Sequence, residues 1–239
     1  MNSNNKAGWD ASYFQTSGAL LQALKDWTSI VENFPYGLGA LFFYYALFQS
    51  ELVPQWLSVW GLIGAALMFA MGVLRMFGHP VVYFAIPIIL NELVLAVWLI
   101  IIGFNSSTIA LAIVGVLIIT ALVSVMLSGF FSGSTDDPDY LTAVSANENK
   151  VLIGVLFQLV LTASVVAIPI IMFPIFSEHN ESLALGYVVA KIFEGISDAV
   201  MAISVLLLLT LSREFVKTGT ATAKTDIDEI NGHLDTQGE

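Results

Sequence analysis

Cysteine is absent from the 239 residues, which excludes disulfides, thiolate zinc sites, iron–sulfur clusters and cysteine nucleophiles. Charge is scarce too: Asp, Glu, Lys and Arg make up 11% of the chain, against roughly a quarter in soluble domains. Bases are the scarcest class, at 8 against 19 acids. The basic footprint of a nucleic-acid binder is missing, so no nucleic-acid partner is expected. The opening residues MNSNNKAGWDASYFQ lack the apolar run of a cleavable signal, so insertion is expected through the chain's own helices. Also missing are a His-Glu-x-x-His motif, a Walker motif and a nucleophile–base pair. No catalytic residue, metal ligand or cofactor is assigned, and the chain is read as a non-enzyme.

What is there instead is apolar sequence. Hydrophobic residues make up 57% of the chain and the mean hydropathy is +0.83. Surface this apolar needs lipid as its solvent. A span takes about 20 apolar residues, and helices satisfy their own backbone groups in lipid. The expected fold is all-α, a polytopic membrane protein with a six-helix bundle. The expected spans are 17–49, 54–77, 81–103, 108–131, 151–176 and 183–211. A polar N-terminal segment, 1–16, and a disordered acidic tail, 213–239, flank them. The first span is irregular, with Lys25, Asp26 and Glu32 early and Pro35 in its middle. It reads as one helix kinked at Pro35, or as a surface helix over 10–33 joined to a short span. Gly78-His79-Pro80 breaks the chain between the second and third spans, and a short helix is expected after Asp136-Asp137-Pro138.

The bases are distributed unevenly. Lys6, Lys25, Arg75, Lys150, Arg213, Lys217 and Lys224 all fall on one side of the expected bundle. The turns at 50–54, 104–107 and 177–182 contain no Lys or Arg. The positive-inside rule then puts both termini in the cytoplasm, with the protein in the cell (inner) membrane. Trp56, Trp60, Trp98, Tyr44 and Tyr45 are expected interface anchors or core fillers. Paired glycines such as Gly61 and Gly64 mark close packing and permit a homo-oligomer.

The eighth base, Lys191, lies within the sixth span with Glu194 and Asp198. Their i, i+3, i+7 spacing puts all three on one face. The third span carries Asn91 and Glu92 near its centre, and the fifth carries Gln158. A mid-membrane charge costs roughly 2.5–3.5 kcal/mol on insertion scales, so such residues need compensation. Asn91, Glu92, Gln158, Lys191, Glu194 and Asp198 are the candidate buried polar site. Two readings stand: an internal network that sets helix register, or a site for a small solute, an ion or a proton. Lys191 at a helix end can also snorkel. Six spans and an off-centre lysine argue against a retinal Schiff base. His79, His179 and His233 lie in turns or the tail, which argues against haem between helices. The acidic run DDPDY lacks the spacing of an EF-hand loop and reads as a solvated turn.

Several blocks carry a family resemblance: LVPQWLSVWGLIGAAL at 52–67, PIILNELVLAVWLIIIGFN at 87–105, DYLTAVSANENKVLIG at 139–154, HNESLALGYVVAKIFEG at 179–195 and LLLLTLSREFV at 206–216. Together they resemble the bacterial integral-membrane family called domain of unknown function 4386. The resemblance implies a six-helix membrane protein with no assigned activity and brings no catalytic residues. The halves stand in rotated order relative to the family pattern, with 108–217 following 10–107, as in a circular permutation. Turns that are basic in the family here hold Glu51, Gln55, Ile102, Ser177 and Glu178. That combination resembles an engineered variant with inverted topology; a natural relative of opposite orientation is the alternative.

The expected function is that of an integral membrane protein of unassigned activity with a buried polar site, its partner the lipid bilayer. The alternatives are a small-solute, ion or proton transporter and a non-catalytic membrane scaffold or sensor.

Overall fold

The computed structural model describes residues 3–79, 81–105, 109–132 and 140–236, with side chains over 12–79, 81–103, 109–129 and 140–219. Every regular element among them is helical. The helices are α1 (Ser3–Val31), α2 (Asn33–Ser50), α3 (Gln55–Met76), α4 (Ile86–Asn105), α5 (Ile109–Ser132), α6 (Tyr140–Ala146), α7 (Glu148–Ser177) and α8 (Glu181–Thr236), with a 3-10 turn at Val82–Ala85 before α4. Five segments are long and apolar enough to cross a membrane: Gln55–Met76, Val82–Gly103, Ile109–Gly129, Glu148–Ser177 and Glu181–Gly219. The chain is thus a helical membrane protein. The first expected span, 17–49, divides between α1 and α2, and α2 has 18 residues that include Asn33, Tyr36, Gly37, Gly39 and Gln49. Apolar side chains such as Ile63, Val97, Ile101, Val116, Ile170 and Ile203 point outward on five different helices. An apolar surface all round a bundle is what lipid requires.

Local chemistry explains the breaks. Between α1 and α2, Glu32 keeps helical dihedrals, φ −55° and ψ −31°. Its amide donates to Thr28 O at 2.9 Å, and the Tyr36 amide donates to Glu32 O at 3.1 Å. The interruption comes from Pro35, which has no N–H to offer the Val31 carbonyl. After α3, Gly78 takes φ +79°. Its amide bonds Arg75 O at 3.0 Å and the His79 amide bonds Leu74 O at 3.0 Å, the paired bonds of a Schellman stop that glycine allows. α7 continues through Pro169 and Pro174.

The helices close into a ring. α2 packs on α3, α3 on α4, α4 on α5, α5 on α7, α7 on α8, and α8 returns to α2. α1–α2 and α8 run antiparallel over most of their length. Phe43 stacks with Tyr187 at 5.3 Å, Lys191 lies over the Tyr36 ring at 4.9 Å, and Phe14 meets Phe215 at 5.8 Å. α6 joins this pair through Tyr140, Leu141 and Val144, which cluster with Leu208 and Leu209.

The polar segment over 1–16 is helical from Ser3. The tail expected to be disordered continues α8 to Thr236, because propagating an established helix costs far less than nucleating one. Of the residues expected as interface anchors or core fillers, Tyr44 fills the core at 1% exposed, whereas Trp56 is exposed at the start of α3. The short helix after the acidic turn is present as α6, while Asp136, Asp137 and Asp139 lie outside the described residues.

Candidate functional site

The bundle packs differently at its two ends. At the end near the α2–α3 turn, Leu47, Leu57, Leu99, Val114, Met172, Phe176 and Ala184 are all at most 1% exposed and form one apolar cluster. These side chains come from every helix of the ring. Glycines make the close approach feasible: a Cβ on Gly61 would run into the Tyr44 ring, and one on Gly103 into the Ala112 backbone.

Toward the other end the ring encloses a cavity of about 380 Å³. Its lining starts at Ser29, Glu32 and Arg75, each partly exposed, and reaches inward to Tyr44, Leu95, Ile168 and Tyr187. The apolar cluster lies beyond those residues on every helix. The chamber therefore reaches toward one end of the bundle and is stopped at the other. Bases gather at the end it reaches: Lys25 on α1, Arg75 closing α3, Lys150 opening α7, and Arg213 on α8, which pairs with Glu148.

Four of the expected polar residues line the chamber: Glu92, Lys191, Glu194 and Asp198. On α8, Lys191 Nζ donates to both carboxyl oxygens of Glu194, at 3.0 and 2.8 Å. Both side chains are largely buried, at 13% and 3% exposed. The same ammonium sits over the Tyr36 ring, a cation–π position. The Tyr36 hydroxyl donates to Glu92 Oε1 at 2.8 Å. An amine, two carboxylates and a phenol thus link α8, α2 and α4. One turn along α8 from Glu194, Asp198 is 1% exposed. Gln158 Nε2 of α7 donates to Asp198 Oδ1 at 2.8 Å, and Asp198 Oδ2 has no hydrogen-bond partner among the described residues.

The other two expected residues stand elsewhere. Gln158 reaches the chamber only through Asp198, since its own side chain is outside the lining. Asn91 is fully buried away from the chamber, and its Nδ2 donates to the Leu57 carbonyl at 2.9 Å. It ties α4 to α3.

Glu32, Arg75, Tyr36, Tyr44 and Tyr187 also line the chamber and were not expected to. Arg75 donates to Ser29 O at 3.4 Å and Ser29 Oγ at 3.3 Å. Glu32 makes no side-chain hydrogen bond or ion pair among the described residues, though it lies within electrostatic reach of Asp198, Glu194, Lys191 and Arg75. The Tyr44 hydroxyl is buried without a hydrogen-bond partner among the described residues. One sequence signal pointed to Glu32: an acid three residues before a proline inside an apolar helix. No group of three or more His, Cys, Asp or Glu side chains is placed to hold a metal ion among the described residues. His79 and His179 are exposed in turns.

The chain matches the family model described as domain of unknown function DUF4386 over residues 2–103 and 113–235. No curated protein and no solved structure matches it.

Proposed function

The chain belongs to the DUF4386 family, a family of unknown function, and from that premise we propose that it binds and moves a small solute, an ion or a proton through the chamber between α2, α4 and α8. The observation that carries this reading is the one-ended cavity lined by Glu32, Glu92, Lys191, Glu194 and Asp198. Ionisable groups in membrane helices commonly mark solute or proton pathways. A chamber open toward one side and sealed at the other by packed apolar side chains is the geometry of one state of an alternating-access cycle.

In this reading α2 is the first span and completes a closed ring of six. The base-rich end faces the cytoplasm of the inner membrane, so the chamber opens inward and both termini are cytoplasmic. Fusing a cytoplasm-dependent reporter to each terminus tests the orientation, and activity at neither would overturn it.

A second reading has its own support. Asn91 bonded to the Leu57 carbonyl and Gln158 bonded to Asp198 each tie two helices, as a non-catalytic scaffold or sensor would need. Flux separates the two. Proteoliposomes containing the full chain are assayed for proton and solute flux beside Glu194→Gln and Asp198→Asn. Transport predicts flux that falls in both variants. Flux equal to empty liposomes, or unchanged in both variants, leaves the scaffold reading.

A further inference from the structure

Acidic side chains outnumber basic ones in the chamber lining. Glu32, Glu92, Glu194 and Asp198 face two bases, Lys191 and Arg75. Lys191 is committed to Glu194. Glu92 is served by the Tyr36 hydroxyl. Arg75 gives two of its donors to Ser29, at 3.4 and 3.3 Å, and forms no ion pair with an acid among the described residues. That leaves Glu32, and Asp198 with a buried oxygen that has no hydrogen-bond partner among the described residues. Such an oxygen is destabilising if it stays unmet.

Lys191 shows how this chamber accommodates an ammonium group. It takes a bidentate carboxylate on one side and a tyrosine face on the other. The unmatched acids, Glu32 between α1 and α2 and Asp198 on α8, share the lining with apolar side chains of α7 such as Leu161, Val165 and Ile168. Those carbons offer nothing to a metal ion. A hard cation wants at least six oxygen ligands, and no three metal-binding side chains converge among the described residues. They do suit the carbon skeleton of an organic cation. The volume of about 380 Å³ falls at the small end of ligand pockets, which run from roughly 300 to 1,000 Å³.

We propose that the chamber takes a small organic cation, an aliphatic amine or quaternary ammonium, held by Asp198 and Glu32 beside the internal Lys191–Glu194 pair. The inference rests on reading the chamber as a binding site and names its ligand class. The ammonium sits against the Asp198 Oδ2 and Glu32 carboxylate, and its carbon chain lies along the apolar wall of α7. The unpartnered oxygen of Asp198 gains its missing donor, or with a quaternary group its missing positive charge.

The test is calorimetric titration of the detergent-purified full chain with butylamine, 1,4-diaminobutane and tetramethylammonium, against butyrate and butanol. At least one ammonium probe should bind saturably at one per chain, at least ten-fold more tightly than butyrate and butanol. Asp198→Asn and Glu32→Gln should each weaken that binding at least ten-fold, while Glu148→Gln, remote from the chamber, leaves it unchanged. Equal binding of butyrate or butanol overturns the proposal, as does the absence of saturable binding by all three ammonium probes. Binding indifferent to both acid variants also overturns it. The comparison among probes uses the unaltered chain, so a variant that fails to fold does not decide the matter. Ammonium binding without flux in liposomes would refute transport and keep the cation site. Flux of protons without any ammonium binding would do the reverse.

Discussion

Gln158 of α7 donates its side-chain amide to one oxygen of Asp198 on α8 at 2.8 Å, and the other oxygen is buried without a hydrogen-bond partner among the described residues. The pair thus ties two helices together through an acid of the chamber lining. The tie and the acid separate by mutation. Gln158→Leu removes the interhelical bond and keeps the acid. Such bonds in membranes average about 0.6 kcal/mol, with a maximum near 1.7, and an acid partner places this one toward the upper part of that range. The unfolding midpoint of the detergent-solubilised chain should fall accordingly. A midpoint matching the unaltered protein would mean that Asp198 does not depend on Gln158.

Lys191 and Glu194 form the most deeply buried ion pair of the described residues, and removal of one partner should be worse than removal of both. Lys191→Met leaves Glu194 uncompensated at 3% exposure. Breaking a buried pair from one side costs about 3–5 kcal/mol, whereas replacing both partners is often neutral. The double variant Lys191→Met with Glu194→Gln should therefore recover most of the stability lost in Lys191→Met. A double-mutant cycle on thermal or denaturant unfolding reads the coupling directly. Additive losses would show that the two side chains are not coupled.

How much of this was legible beforehand varied with how local the signal is. The i, i+3, i+7 spacing of Lys191, Glu194 and Asp198 put them on one face, because helix periodicity is local. The third span was harder. Asn91 and Glu92 are neighbours, about 100° apart around the helix, and only the packing decides which faces α3 and which the chamber. Tyr44 and Tyr45 divide in the same way, at 1% and 44% exposed. Glu32 and Arg75 read as helix-end charges. They become chamber residues because α1–α2 runs antiparallel to α8 and brings Glu32 toward Asp198, a pairing between positions far apart in the chain. Pro35 did mark the interruption, since a missing backbone donor can be read from one residue.

The apolar seal can be probed through its glycines. A Cβ on Gly61 would overlap the buried Tyr44 ring, while one on Gly129 meets nothing within 4 Å. Overpacking a tight core costs about 1–3 kcal/mol. In an exposed helix interior, exchanging glycine for alanine gains up to roughly 1 kcal/mol in helix propensity. Gly61→Ala should lower the unfolding midpoint and Gly129→Ala should hold or raise it. Equal effects at the two positions would contradict the close α2–α3 contact.

The closed ring makes the order of its halves a physical question. α8 lies beside α2, and the Phe14 and Phe215 rings are 5.8 Å apart. A rotated chain running 109–217, then a short linker, then 12–105 would keep every helix next to its present neighbours. Loop-closure entropy changes slowly with length, by about 0.6 kcal/mol per doubling, so stability should stay within about 1 kcal/mol of the original order. The rotation moves the ends from the base-rich end of the bundle to the base-free turn between α4 and α5. If the bases set orientation, reporters on the rotated termini should read outside where those on the present termini read inside. A rotated chain that folds with its termini still inside would show that helix order outweighs the bases. One that loses its helicity or its monodisperse elution would show that the α4–α5 turn is needed to assemble the ring.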